Sequence, residues 1–208
     1  MNLENKRVNL VLFMMQQPQS GKPSMEEYAF VLDFLPYGKS ADVKKEPLAQ
    51  VIGELHFTLL EVVPKTGAQL AVGERIYIGK GEREKVDHIK GRIAFADLTG
   101  AAKAELEHAI RAIIDSREKD FVQFFNKCGP ITIRLHQLEL LPGIGKKHML
   151  DIISERERKP FESFKDLSER VKLLPDPRKL LTERVLEELK GEGKYYILTK
   201  PPFSPRQH

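Results

Sequence analysis

Several things this sequence has little of already narrow what it can be. It carries one cysteine, Cys128, and no tryptophan in 208 residues. An internal disulfide is therefore excluded, and a disulfide-stapled secreted scaffold with it; the usage fits a reducing cytoplasm. Long apolar runs are scarce too. The run Val8–Met15 is eight residues long and includes Asn9, far short of the ~20 apolar residues that a spanning helix needs. Lys6 and Arg7 precede it, but no small-residue cleavage site follows, so it does not read as a signal peptide. No membrane is expected as a partner.

Catalytic patterns are equally thin. His56, His88, His108, His136 and His148 are scattered without metal-ligand spacing. No cluster of carboxylates suggests a two-metal nuclease, although such sites can assemble from distant residues. The stretch Gly79-Lys80-Gly81-Glu82-Arg83-Glu84-Lys85 lacks the Gly-Lys-Ser/Thr ending of a phosphate-binding loop. Cys128 stands before Gly129-Pro130 and reads as a buried helix-end residue rather than a nucleophile. The expectation is a protein that is not an enzyme and takes no cofactor.

What is present is a basic excess in the C-terminal third. The net charge is +4, and residues 131–208 carry sixteen bases against twelve acids. Such an excess draws polyanions, though a mixed solvated surface would show the same count. Residues 1–24 end in the polar stretch Gln16–Pro23 and read as a flexible extension, with Met25 standing directly before the first strand.

Residues 25–98 show period-two patterning. Tyr28, Phe30, Leu32 and Phe34 share one face; Leu55, Phe57 and Leu59 alternate with Glu54, His56 and Thr58. Ile76 and Ile78 alternate with Arg75 and Tyr77, and Ile89, Gly91, Ile93 and Phe95 with Lys90, Arg92 and Ala94. Four one-faced strands with Gly- and Pro-bearing turns predict a small antiparallel sheet closed on itself, most economically an OB-like barrel. On that barrel Arg75, Tyr77, Lys90 and Arg92 face outward. An aromatic among bases suits stacking of single-stranded nucleic acid, and a plain polar face reads equally well.

The period changes after Asp97. Thr99 is placed to cap a helix in which Leu106, Ala109, Ile110, Ile113 and Ile114 recur at helical spacing, and Val122 and Phe125 mark a second helix before Gly129-Pro130. Residues 99–130 are thus linking helices. Beyond them Leu135, Leu138 and Leu141 recur every three residues, Pro142-Gly143-Ile144-Gly145 forces a tight turn, and Met149, Ile152 and Ile153 resume the apolar face. This predicts two short helices joined at a glycine-bearing bend, the second starting near Lys146. Amides at such a bend and at the first turn of the second helix form an anion-binding concavity. Ile144 plugs the small core, and Lys146 and Lys147 add charge.

The stretch Leu138–Ile153 resembles the helix-hairpin-helix motif of DNA repair, recombination and polymerase-associated proteins. It matches at Leu141, Pro142, Gly143, Ile144, Gly145, Ile152 and Ile153, and departs at Met149, where that motif has alanine. The resemblance implies sequence-independent phosphate contact by the amides of Gly143, Gly145 and their neighbours. It also implies a monovalent cation held by the carbonyls of Glu139, Leu141 and Ile144.

A second copy follows at an offset of 33. Leu174-Pro175-Asp176-Pro177-Arg178-Lys179 aligns under Leu141–Lys146, with Ser163 and Asp166 as a capping pair and Leu180, Leu181, Leu186 and Leu189 as an amphipathic stripe. Asp176 and Pro177 remove its phosphate chemistry, since one is an anion and the other has no N–H.

The fold class expected is α+β. An OB-like antiparallel β-barrel (25–98) precedes linking helices (99–130), an all-α paired helix-hairpin-helix domain (131–192) and an extended tail (193–208). This combination, with Gly73-Glu74-Arg75-Ile76-Tyr77-Ile78-Gly79 and Asp97-Leu98-Thr99, resembles an archaeal family of unknown function, domain of unknown function 655, over residues 25–200. That resemblance implies nucleic-acid binding, DNA or RNA, with no assigned reaction and no catalytic residue. A protein-interaction adaptor in a larger RNA or DNA machine is the rival reading.

Overall fold

The computed structural model describes residues 25–39 and 45–201. The 1–24 extension and the end of the tail lie outside the described residues. The chain forms a mixed α+β structure of two compact units, one made of residues 1–110 and 188–208, the other of residues 111–187.

The first unit is built on five antiparallel strands, β1 (Tyr28–Leu35), β2 (Leu48–Gly53), β3 (Leu59–Pro64), β4 (Arg75–Tyr77) and β5 (Val86–Arg92), in the order β4-β1-β2-β3-β5. The sheet curls into a half-barrel whose inside holds Ala29, Val31, Val51, Leu60, Val62, Ile76 and Ile78. The expected closed sheet does not form, because β4 and β5 pair with β1 and β3 only and remain edges. With three residues, β4 offers too little main chain for a second ladder.

Two strand expectations need correcting. Of the expected β1 face Tyr28, Phe30, Leu32 and Phe34, Leu32 is fully buried, but Ala29 and Val31 occupy the core before it and Tyr28 and Phe30 are only half-buried. A register shift between Val31 and Asp33 then turns Phe34 toward the core. A bulge of this kind breaks strict alternation. The expected strand through Leu55, Phe57 and Leu59 is a turn for most of its length, and Phe57 sits there at φ 53°. The strands beside it, Leu48–Gly53 and Leu59–Pro64, are buried at every position. Buried on both faces, they show no apolar–polar alternation, and the one polar residue in each, Gln50 and Glu61, is buried as well. The Arg75–Ile78 alternation holds, with Ile76 and Ile78 buried.

Helix α1 (Gly100–Ser116) starts where Thr99 was expected to cap it. Thr99 Oγ1 accepts from the Ala102 amide at 3.0 Å and donates to Asp33 Oδ2 at 2.6 Å. Leu106, Ala109, Ile110, Ile113 and Ile114 are buried as their spacing requires. Near the other end of this unit Glu188 is fully buried, and its carboxylate accepts from the amides of Ile197, Leu198 and Thr199. These bonds fix an otherwise irregular C-terminal segment.

The second unit continues from α1 through α2 (Glu118–Lys127), a two-stranded ribbon β6 (Pro130–Thr132) and β7 (Leu135–His136), a 3-10 turn (Gln137–Leu140), α3 (Lys146–Arg158), α4 (Phe164–Arg170) and α5 (Pro177–Lys190). Phe121, Phe125, Leu138, Leu141, Ile152, Phe164, Leu167 and Leu181 make its core. Among the described residues no helix is long and apolar enough to cross a membrane.

Candidate nucleic-acid interface

The bend at Leu141–Gly145 is built as its residue types require. Gly143 has φ 81°, a left-handed conformation that a side chain resists, and Gly145 has φ −90° and ψ 178°, open to any residue. A Cβ built on Gly145 would meet nothing within 4 Å. Ile144 between them is 6% exposed and seals the core, and its amide donates to Leu141 O at 3.0 Å.

Gly143, Gly145, Lys146 and Lys147 are all exposed. The first helical bond of α3 runs from Met149 N to Gly145 O. The amides of Gly145, Lys146, Lys147 and His148 therefore precede the helical ladder, and none has an acceptor among the described residues. Neither Lys146 nor Lys147 has an ion-pair partner there. The bend is neither covered nor turned inward within its unit.

What precedes the bend is shorter than expected. Leu135 belongs to β7, and only Gln137–Leu140 coil, as a 3-10 turn. His136 caps that turn: its Nδ1 accepts from Leu138 N at 3.1 Å while its own amide donates to Glu139 Oε2 at 2.9 Å. Burial, reinforced by Arg156, holds the His136 imidazole below its ordinary pKa, with Glu139 acting the other way. The neutral ring that results can accept the Leu138 proton.

Of the carbonyls proposed for a cation, that of Leu141 already accepts from Ile144 N, leaving one lone pair. Arg184 went unnoticed in the sequence. It is 5% exposed and donates to Leu140 O at 3.3 Å, bracing the bend from behind. An arginine on an amphipathic helix gives no sign of such a role.

The basic excess is also less free than its count suggests. Arg156 donates to the carbonyls of Phe125 and Cys128 at the end of α2. Arg170 ties α3 to α4 through Glu155, Asp166 and the Lys159 carbonyl, and Arg178 pairs with Asp115 at 2.6 Å. These guanidiniums hold the unit together.

The second copy aligns differently in space. Its tight turn is Val171–Leu174, so Leu173, at φ 62°, is the counterpart of Gly143 and lies 30 residues on. Asp176 then stands at the start of α5, as Gly145 does for α3, with Pro175 extra. The offset of 33 matched the proline-containing letters, whereas the backbone repeats its left-handed residue. The loss of open amides stands, because Pro177 has no N–H and Asp176 Oδ1 accepts from Arg178 N at 3.0 Å. Ser163 accepts from Asp166 N as its pairing required.

On the sheet the four outward candidates do not form one surface. Arg75 and Tyr77 lie on edge strand β4, Lys90 and Arg92 on the opposite edge β5. Arg75 bonds Glu54 at 2.8 Å and covers the Tyr28 ring at 3.5 Å. The Tyr77 hydroxyl accepts from Gly81 N at 3.0 Å, and its ring packs where a Cβ on Gly79 would lie, so it braces its own loop. Lys90 faces Glu46 at 3.8 Å, and Arg92 donates to Pro201 O at 3.2 Å.

A family model described as a protein of unknown function, DUF655, matches residues 25–200. An uncharacterised protein of Methanocaldococcus jannaschii is 47% identical over 189 residues, covering 89% of this chain and 86% of the relative. The crystal structure of Af1531 from Archaeoglobus fulgidus, itself described as DUF655, superposes with a TM-score of 0.77 at 52% identity, over 84% of this chain and all of that one. Matched along nearly its whole described length, this chain belongs to the DUF655 family.

Proposed function

We propose that this protein binds nucleic acid through the phosphate backbone, without sequence specificity and without catalysing a reaction, by a helix-hairpin-helix centred on Leu141–Gly145. One observation carries the reading. Four successive amides, from Gly145 to His148, lack acceptors at an exposed bend flanked by Lys146 and Lys147. Amides at a helix start and two lysines are the donors that a phosphate oxygen accepts from. In the paired second hairpin Asp176 and Pro177 fill the corresponding place, which suits a supporting role. The carbonyls of Glu139, Leu141 and Ile144 are the cation ligands that a helix-hairpin-helix would use. The strand order β4-β1-β2-β3-β5 supports reading the half-barrel as an open OB-type fold. A cytoplasmic place fits the lone buried thiol.

The test is titration of labelled single- and double-stranded DNA and RNA at several salt concentrations. Contact with ~2–4 phosphates gives a log–log salt slope of roughly −2 to −4. Gly145→Asp enters open space at an unstrained φ, so it keeps the fold and weakens all sequences alike. Undiminished binding by that variant rejects the hairpin as the site. The adaptor reading draws on Ile133, Leu150 and Leu173, large apolar side chains exposed on the second unit. It requires Gly145→Asp to be silent and Ile133→Ser to abolish association with a protein partner.

A further inference from the structure

The second bend offers a different kind of contact from the first. Leu173 stands at its tip with φ 62° and 86% of its surface exposed. Local structure gives no reason for a leucine there, since a left-handed backbone penalises its side chain and no burial offsets the cost. Gly143 holds the same place in the first bend and bears no such cost. Strain kept at an exposed position points to a contact made outside the chain. Lys172, next to it, is exposed as well and has no ion-pair partner among the described residues.

The two bends lie side by side. A Cβ on Gly143 would stand 3.7 Å from Pro175 Cγ and 3.6 Å from Leu180 Cδ2, so the first bend packs on the chain that leaves the second. The exposed leucine, just before Pro175, thus neighbours the stretch where the amides of Gly145 to His148 are open. Charge is arranged to match. Lys146 and Lys147 at one bend and Lys172 at the other are exposed, and lysines so placed meet the phosphates of a bound strand. The carboxylate of Asp176 is engaged by Arg111 at 3.9 Å and by the Arg178 amide. Among these cations Leu173 adds an apolar side chain that nothing in its unit covers.

We propose that Leu173 is a wedge that enters a base step of duplex DNA held at the first bend. The proposal rests on the phosphate-binding reading of that bend and names duplex DNA as its ligand. Aliphatic side chains act in this way: they enter between neighbouring base pairs from the minor groove, partly unstack them and kink the helix. Single strands are gripped instead by aromatic rings that stack on bases, and leucine has no such face. Opening a step costs energy, and least where pairing is already broken, as at a mismatch. The second bend, which Asp176 and Pro177 bar from holding phosphate as the first does, thereby takes a part in recognition.

The experiment is a fluorescence titration of the full chain with two DNA duplexes, one fully paired and one carrying a single mismatch. Each holds 2-aminopurine, a base quenched while stacked, beside the central step. Wild type should bind the mismatched duplex about tenfold more tightly, a fraction of the cost of unstacking one step, and its 2-aminopurine should brighten on binding. Leu173→Ala should bind both duplexes alike, close to the wild-type affinity for the paired one, without brightening. Leu173→Met keeps a long apolar side chain and should restore both signals. Because the side chain is exposed, both variants keep the fold. Gly145→Asp weakens both duplexes and preserves their ratio. Equal wild-type affinities, or a preference that survives Leu173→Ala, overturn the wedge alone. Failure of wild type to bind either duplex overturns the wedge together with the reading of the bend.

Discussion

Two residues show how local chemistry sets stability in this chain. Leu173 sits at φ 62° with its side chain 86% exposed, so it bears left-handed strain with little burial in return. Left-handed geometry costs a non-glycine residue roughly 1–2 kcal/mol. Leu173→Gly removes that strain, while the freer unfolded chain offsets part of the gain. The expected net is a stabilisation of about 1 kcal/mol, read as a higher urea midpoint; a lower midpoint would mean that Leu173 contributes packing the geometry does not reveal. Cys128 is the second case. Burial pushes its thiol from 9.0 up to about 11, against the pull of Arg156. Because the folded value is the raised one, the unfolded chain ionises first. Stability from this group is full below pH 9 and is lost between about pH 9 and 11, at most ~2–3 kcal/mol. Wild type should therefore lose more stability than Cys128→Ala across that interval in denaturation at stepped pH. Parallel curves would remove the thiol as the cause.

Elements in this fold are held by single polar side chains that reach across them, and this is where sequence reading stops. Gln50 on β2 is fully buried. Its Nε2 donates to Glu61 on β3 and to Asp97 O, while its Oε1 accepts from Thr99 N at the start of α1. Gln50→Leu takes the partner from the Thr99 amide and the Asp97 carbonyl, while Glu61 keeps Lys39, and should cost ~2–4 kcal/mol; a change within ~0.5 kcal/mol would mean the network is dispensable. Thr99 was legible as a cap because capping is local. Gln50 was not, since its partners lie 11 to 49 residues away. The same division runs through the chain. The α1 stripe, the β4 alternation, the Ser163 cap and the start of α3 follow from neighbours in sequence. Burial on both faces hid β2 and β3, and a bulge split the expected face of β1, which holds at Leu32 and Phe34 and fails at Tyr28 and Phe30. The bend was legible because Gly143 must be glycine. Its counterpart was misaligned because Leu173 adopts the same conformation without that marker.

At the scale of the molecule, the unit boundaries fall inside two helices, α1 after Ile110 and α5 after Glu187, so the chain enters and leaves the second unit along continuous backbone. The proposed phosphate contact lies wholly in the second unit, where the unbonded amides of Gly145 to His148 and the side chains of Lys146 and Lys147 follow one another along the chain. Affinity for single-stranded oligonucleotides should therefore rise with length only until the few phosphates that the bend spans are covered, and then level off with a log–log salt slope of roughly −2 to −4. Gly145→Asp lowers that plateau for every length alike. An affinity that keeps rising with length, and does so in the Gly145→Asp variant as well, would place the main contact elsewhere on the chain.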